Sequence, residues 1–143
     1  MCDLKLNDEI LVYLQKAEKK LNSALLLLNQ GFYEDAVSRA YYATFHAIIA
    51  LLRLKKVDLS RHKHIYILNQ FRIHYIDTKV FSNELYSKIL NIRAIREHAD
   101  YSIRAEIEQI EAEQIVNDTR TIIAEIKEYL KKIWGKKSEK DKN

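Results

Sequence analysis

The twelve residues Asn91–Ser102, NIRAIREHADYS, bring Arg93, Arg96, His98, Asp100 and Tyr101 into one short segment. Guanidinium groups grip carboxylates or phosphates in a forked geometry, and an imidazole exchanges protons near neutral pH, so these are the residue types of anion binding and proton transfer. They also make a structural set. On a helix Arg93 stands four residues before Glu97 and Arg96 four before Asp100, the spacing at which ion pairs form along one face. The plain reading is two intrahelical ion pairs with His98 and Tyr101 exposed. At about 100° per residue, Ile92, Ile95, Ala99 and Ile103 gather on one side as the core face, with Glu97 and Arg104 opposite. Arg96 then falls about 60° from the centre of the core face, along the packed boundary, and should have Asp100 as its partner.

A second group lies upstream. Ser38, Arg39, Tyr42, His46 and Arg53 share one side of an otherwise apolar stretch, with Arg39, Tyr42 and His46 on successive turns. Two uses fit: a polar cleft shared with Arg96 and its neighbours, or rings that are simply buried and hydrogen-bonded across the fold.

The elements that must hold these groups read as helices throughout. The 143 residues contain no proline and only Gly31 and Gly135, so the punctuation of strands and hairpins is missing, and the length suits one domain with one core. We expect an all-α protein, an antiparallel up-and-down bundle of about five helices with a four-helix core. A first helix should start at the N-cap residue Asn7 and pack through Ile10, Leu14, Ala17, Leu21, Ala24 and Leu28. Gly31 sits where a left-handed cap would turn the chain back. The second helix, about Tyr33 to Lys55, carries alanines at 36, 40, 43, 47 and 50 in a narrow arc, flanked by Val37, Tyr41, Ile48, Leu51 and Leu52, and should be the most buried. A third helix, His62 to Ile76, would point Ile65, Leu68 and Ile76 inward. Ser82 is the N-cap of a fourth, running to about Ser102. A fifth, Ile110 to Trp134, packs through Ile115, Ile122, Ile126, Tyr129 and Ile133. Residues 1–134 then form the domain, and the apolar-free 135–143 a disordered charged tail.

Charge is uneven. Between Arg53 and His74 six basic residues face one acidic, and between Glu106 and Leu130 seven acidic face two basic. The basic third suits phosphate, or equally a solvated face. One cysteine, Cys2, excludes an internal disulfide, and the first thirty residues lack a signal pattern, so a cytoplasmic location is expected. The most apolar run, Ala40–Leu52, falls well short of the roughly 20 residues that span a bilayer. No metal or cofactor is expected: there is no glycine-rich loop, and His62 and His64, at i and i+2, do not face each other on a helix.

GFYEDAVSRAYYATFHAIIALL, followed by RHKH and then RAIREHADY, resembles the HEPN family, the small helical domains named for higher eukaryotes and prokaryotes nucleotide-binding. The likeness covers nearly the whole chain. Nuclease members carry an arginine, four to six intervening residues and a histidine, matched here by Arg93 and His98. The resemblance implies metal-independent RNA cleavage by a homodimer whose two motifs face each other. His98 would then be the acid or base and Arg93 the phosphate clamp. It also implies a toxin–antitoxin setting with a minimal nucleotidyltransferase as partner. Where nuclease members have a polar residue after the arginine, this chain has Ala94, and Arg96-x-x-Ala-Asp-Tyr101 resembles a second form of the motif. An alternative therefore stands beside the nuclease: a non-catalytic module in which Arg39, Tyr42, His46, Arg96, Asp100 and Tyr101 bind nucleotide, RNA or the nucleotidyltransferase.

Overall fold

The structure, a computed structural model, describes residues 2–60, 63–102 and 106–141, and the side chains that lie between residues 6 and 134 of these. Five α-helices follow one another: α1 Cys2–Asn29, α2 Tyr33–Leu54, α3 His64–Phe71, α4 Asn83–Tyr101 and α5 Gln109–Asp141. No strand occurs among the described residues. None of the described helices is long and apolar enough to cross a membrane.

The α1–α2 hairpin turns at Gly31, whose φ of +83° puts it in the left-handed region. Its N–H donates to the Leu28 carbonyl and that of Phe32 to the Leu27 carbonyl, the double bond that closes a helix on a left-handed residue. The alanine arc on α2 is buried throughout, Ala36, Ala40, Ala43, Ala47 and Ala50 having no exposed surface. Such short side chains let α1, α4 and α5 all pack on α2, which makes it the central helix. A threonine joint marks the α2–α5 seam, where Thr44 donates to the Ala40 carbonyl and lies 3.4 Å from Thr119 Oγ1. Ion pairs fasten the rim: Arg53 to Glu9 between α2 and α1, and Lys127 to Glu18 between α5 and α1. Because the arc is fully buried against its neighbours, Ala43→Leu or Ala47→Leu should overpack it and destabilise the fold by about 1–3 kcal/mol. Denaturant melts check this, and an unchanged midpoint for both variants would reject α2 as the central helix.

Four boundaries differ from those expected. α1 begins at Cys2, so Asn7 lies inside the helix and caps nothing. α3 begins at His64, and Ile65 is 52% exposed. It lies about 110° from the middle of the buried arc of Ile67, Leu68 and Phe71. Beyond Phe71 the chain widens into a π-helical turn, Arg72–Ile76, in which the Asp77 N–H reaches back five residues to the Arg72 carbonyl. The turn seats Tyr75 in a ring cluster with Phe71, Phe81 and Tyr129, its hydroxyl donating to the Leu51 carbonyl. Finally, the α5 backbone runs on as helix past Trp134 to Asp141; lysine and glutamate favour helix, and one glycine costs only about 1 kcal/mol.

Candidate functional site

α4 is started by Ser82, whose Oγ accepts the Leu85 N–H. Its buried stripe is Leu85, Ile89 and Ile92, and the next position on that line is Arg96. The core face thus runs straight into a cation. Ile95 and Ala99, expected at the centre of that face, are only half-buried, and Ile103 lies outside the described residues.

The Arg96 side chain is only 13% exposed and is held from several sides. Nη2 donates to the Tyr42 hydroxyl at 3.0 Å. The guanidinium lies 5.1 Å from the centre of the Tyr41 ring, 5.4 Å from that of Tyr42 and 5.8 Å from that of Tyr101. Nε stands 2.8 Å from Asp100 Oδ2, but its N–H is not aimed at that oxygen, so the contact is an ion pair without a hydrogen bond. Asp100 in turn accepts from Ser38 Oγ at 3.1 Å, which ties α4 back to α2. Burial opposes the charge on Arg96, yet the oxygens of Tyr42, Asp100, Tyr101 and Tyr41 around it raise its pKa.

Beneath this arginine sits a histidine from another helix. Tyr41 is 3% exposed, and its hydroxyl lies 2.6 Å from His64 Nδ1. Burial pushes the Tyr41 hydroxyl up to about 12, so it keeps its proton. No other acceptor meets that hydroxyl among the described residues, so Tyr41 donates to Nδ1 and the His64 proton resides on Nε2. Burial and then the nearby Arg96 and Arg93 hold the imidazole below its ordinary pKa, and hence neutral at pH 7. The His64 ring also packs on Phe45, with centres 4.2 Å apart. Two guanidiniums, a neutral imidazole with a fixed donor and the rings of Tyr41, Tyr42 and Phe45 therefore share one end of the α2–α4 seam. Arginines can take phosphate oxygens, and here the rings of Tyr41 and Phe45 are covered by Arg96 and His64 and so hold the cationic groups in place, an arrangement suited to a phosphate backbone.

Arg93, on the same helix, pairs with Glu97 at 3.2 Å and is more exposed than Arg96. His98 is exposed on the last turn of α4, and its side chain makes no hydrogen bond or ion pair among the described residues. Five positions apart, Arg93 and His98 point about 140° away from each other, so one chain does not bring them together on one phosphate. Tyr101 is 74% exposed. Arg39 is exposed beside Tyr42 in an open cleft of about 430 Å³ lined also by Leu27, Asp35 and Ser38.

The model of the HEPN domain family matches residues 10–129. The chain belongs to the HEPN family. It is 33% identical over 90% of its length to a protein of Methanocaldococcus jannaschii named as a candidate toxin, 86% of which is covered. A second candidate toxin of that organism is also 33% identical, over 90% of this chain and 93% of its own length. A UPF0332 protein of Archaeoglobus fulgidus is 31% identical over 87% of this chain and 98% of its own.

In this HEPN chain one sequence expectation needs correcting. His46 does not share the Arg96 cleft; it lies across α2, in a separate cleft with Lys16, Lys19, Lys20 and Ser23 of α1. One turn beyond Tyr42 is enough to move a side chain from the α4 flank of α2 to the α1 flank. The basic third is also less bare than its composition suggests, since Arg53 pairs with Glu9, Arg72 with Asp77, and Lys55 lies over the Tyr75 ring. The residue that sequence reasoning missed is His64. In the sequence it stands out only as the last residue of RHKH and as a neighbour of His62, while its partner Tyr41 is 23 positions away. The one visible signal was a histidine at the start of a helix following a loop.

Proposed function

We propose that this HEPN protein is a metal-independent RNA endonuclease of the toxin kind, acting in the cytoplasm as a homodimer. The observation that carries the reading is the gathering of Arg93, Arg96 and a neutral His64 against Tyr41, Tyr42 and Phe45, with His98 exposed on another face of α4, about 140° round from Arg93. In the reaction a ribose 2′-oxygen attacks the adjacent phosphorus. Its proton passes to a base, the bond to the 5′-oxygen breaks, and that oxygen takes a proton from an acid. The products are a 2′,3′-cyclic phosphate and a 5′-hydroxyl. Arg93 serves as the phosphate clamp and His98 as the proton-transfer group, and the angle between them on one helix is the reason for assigning the second residue of each pair to the other copy. A 2′-hydroxyl nucleophile restricts the enzyme to RNA. The names of the two Methanocaldococcus relatives support the toxin role, and a toxin requires a restraining partner, for which a minimal nucleotidyltransferase is the one we infer.

A second reading, a HEPN module that binds RNA, nucleotide or a nucleotidyltransferase without cleaving, draws on a specific observation: Arg96 is already engaged by Tyr42 and Asp100. Incubating the purified chain with RNA, with DNA of the same sequence, and with each in the presence of EDTA separates the two. The nuclease reading expects RNA cut, DNA spared and no effect of EDTA. RNA bound and left whole would favour the module. Light scattering at micromolar concentration completes the test, because a monomer could not form the composite site.

A further inference from the structure

On the α1 side of α2 lies a second basic surface that no part of the proposed reaction uses. Lys16, Lys19, Lys20 and Ser23 stand at i, i+3, i+4 and i+7, on one face of α1, and with His46 of α2 they line an open cleft of about 370 Å³. We propose that this cleft is a phosphate-binding site for the backbone of the same RNA strand that the α4 cluster engages, an inference that rests on the RNA reading above.

Three observations carry it. The lining holds three cations and no carboxylate. Among the described residues none of the three lysines makes an ion pair, although cations of the adjacent helices do pair with α1 carboxylates, Arg53 of α2 with Glu9 and Lys127 of α5 with Glu18. Carboxylates are thus present on α1 but directed elsewhere, and the charge in the cleft is left uncompensated. The second observation is His46. Its Nδ1 is buried without a hydrogen-bond partner, and the ring makes no hydrogen bond to any described residue. Burial and the adjacent Lys16 and Lys20 lower its pKa and keep it neutral. With Nδ1 buried, the Nε2 edge of the neutral ring is the one that can meet the cleft, and as the N–H tautomer it donates to a phosphate oxygen. Its ring stands 6.3 Å from that of Tyr13, whose other neighbour is Lys16, 5.4 Å from the ring centre.

The third observation is continuity. Tyr42, which receives the Arg96 hydrogen bond, precedes His46 by four residues, about 6 Å along the helix axis. A strand held at Arg93 reaches His46 and the lysines by crossing α2 from its α4 flank to its α1 flank, so the two sites take separate phosphates, which a dinucleotide with its single phosphodiester lacks. The α4 cluster and the lysine cleft then form two cationic stations for one backbone, contacts that hold a strand without reading its sequence.

Fluorescence anisotropy with a labelled uridine oligonucleotide of about ten residues, against one of two residues, tests the site. The variant is Lys16→Ala with Lys20→Ala, and Lys16→Arg with Lys20→Arg is the charge-preserving control. Binding of the longer RNA to the alanine variant should weaken about tenfold, and the slope of log K against log salt should flatten by about 1.4, the value for two lost single-strand phosphate contacts. The dinucleotide, which reaches only one site, should bind both forms alike, and the arginine variant should behave as the natural chain. Unchanged affinity and slope for the longer RNA, with binding still weakened by Arg93→Ala, would overturn the lysine site and leave the RNA reading intact. A natural chain that binds neither oligonucleotide would overturn both. Equal losses for the two lengths would also reject a second site, since they would mean a change in the first.

Discussion

Replacing His98 by alanine is expected to reduce RNA cleavage by about 10²–10⁴-fold, the usual contribution of a positioned proton-transfer group, while leaving the fold intact. The second half of that statement follows from position. The His98 side chain is exposed and unpartnered among the described residues, and it is the backbone carbonyl of His98, not the imidazole, that accepts the Ser102 N–H closing the helix. Exposed substitutions of this kind change stability by no more than about 0.5 kcal/mol. Cleavage assays and thermal melts on the same preparation read both halves. His64→Ala provides the contrast, because it removes an imidazole that feels the charge of both arginines and also takes away the hydrogen-bond partner of the buried Tyr41 hydroxyl. It should therefore destabilise the protein as well as weaken RNA binding. Cleavage that survives His98→Ala and disappears in His64→Ala would transfer the proton-handling role from α4 to α3. Loss of activity on adding EDTA would reject the assigned chemistry altogether.

The contrast between the two histidines shows what a helical sequence discloses. Periodicity fixes angles within one helix. Ile10, Leu14, Ala17 and Ala24, the alanine arc of α2, the Ser82 cap and the left-handed Gly31 could all be read from local spacing, because each is decided by residues within about one turn of itself. The same rule placed Arg96 at the packed boundary four residues from Asp100. Periodicity does not say which neighbour covers each flank. His46 and Tyr42 belong to one polar stripe on α2, yet one meets α1 and the other α4, and only the packing of the three helices separates them. His64 was hidden for a related reason: its role depends on the loop after α2 returning the chain beside Tyr41, a long-range event with no local signature. The π-helical turn at Arg72–Ile76 is of the same kind, set by the seating of Tyr75 among rings drawn from residues 71 to 129.

The two arginines of α4 should separate stability from binding. Arg96→Ala removes the hydrogen bond to Tyr42 and the cation over the Tyr41 and Tyr42 rings, and leaves Asp100 with Ser38 as its partner among the described residues. A part-buried polar network broken on one side costs about 1–3 kcal/mol, since the groups left behind have lost both water and partner. Arg93→Ala removes one i,i+4 ion pair with Glu97, whose side chain is 47% exposed, and such pairs contribute only about 0.3–0.5 kcal/mol. Its effect on RNA should be the larger, because Arg93 is the less encumbered cation: its known partner is an exposed carboxylate that a phosphate can displace, whereas Arg96 is fixed between α2 and α4. Arg96→Ala is therefore expected to lower the melting point more than Arg93→Ala, and Arg93→Ala to weaken RNA binding by more than it lowers stability. Melts and anisotropy titrations on the two purified variants measure this directly. The opposite ranking would mean that Arg96 faces the ligand and that Arg93, through Glu97, is the residue that holds α4 in place.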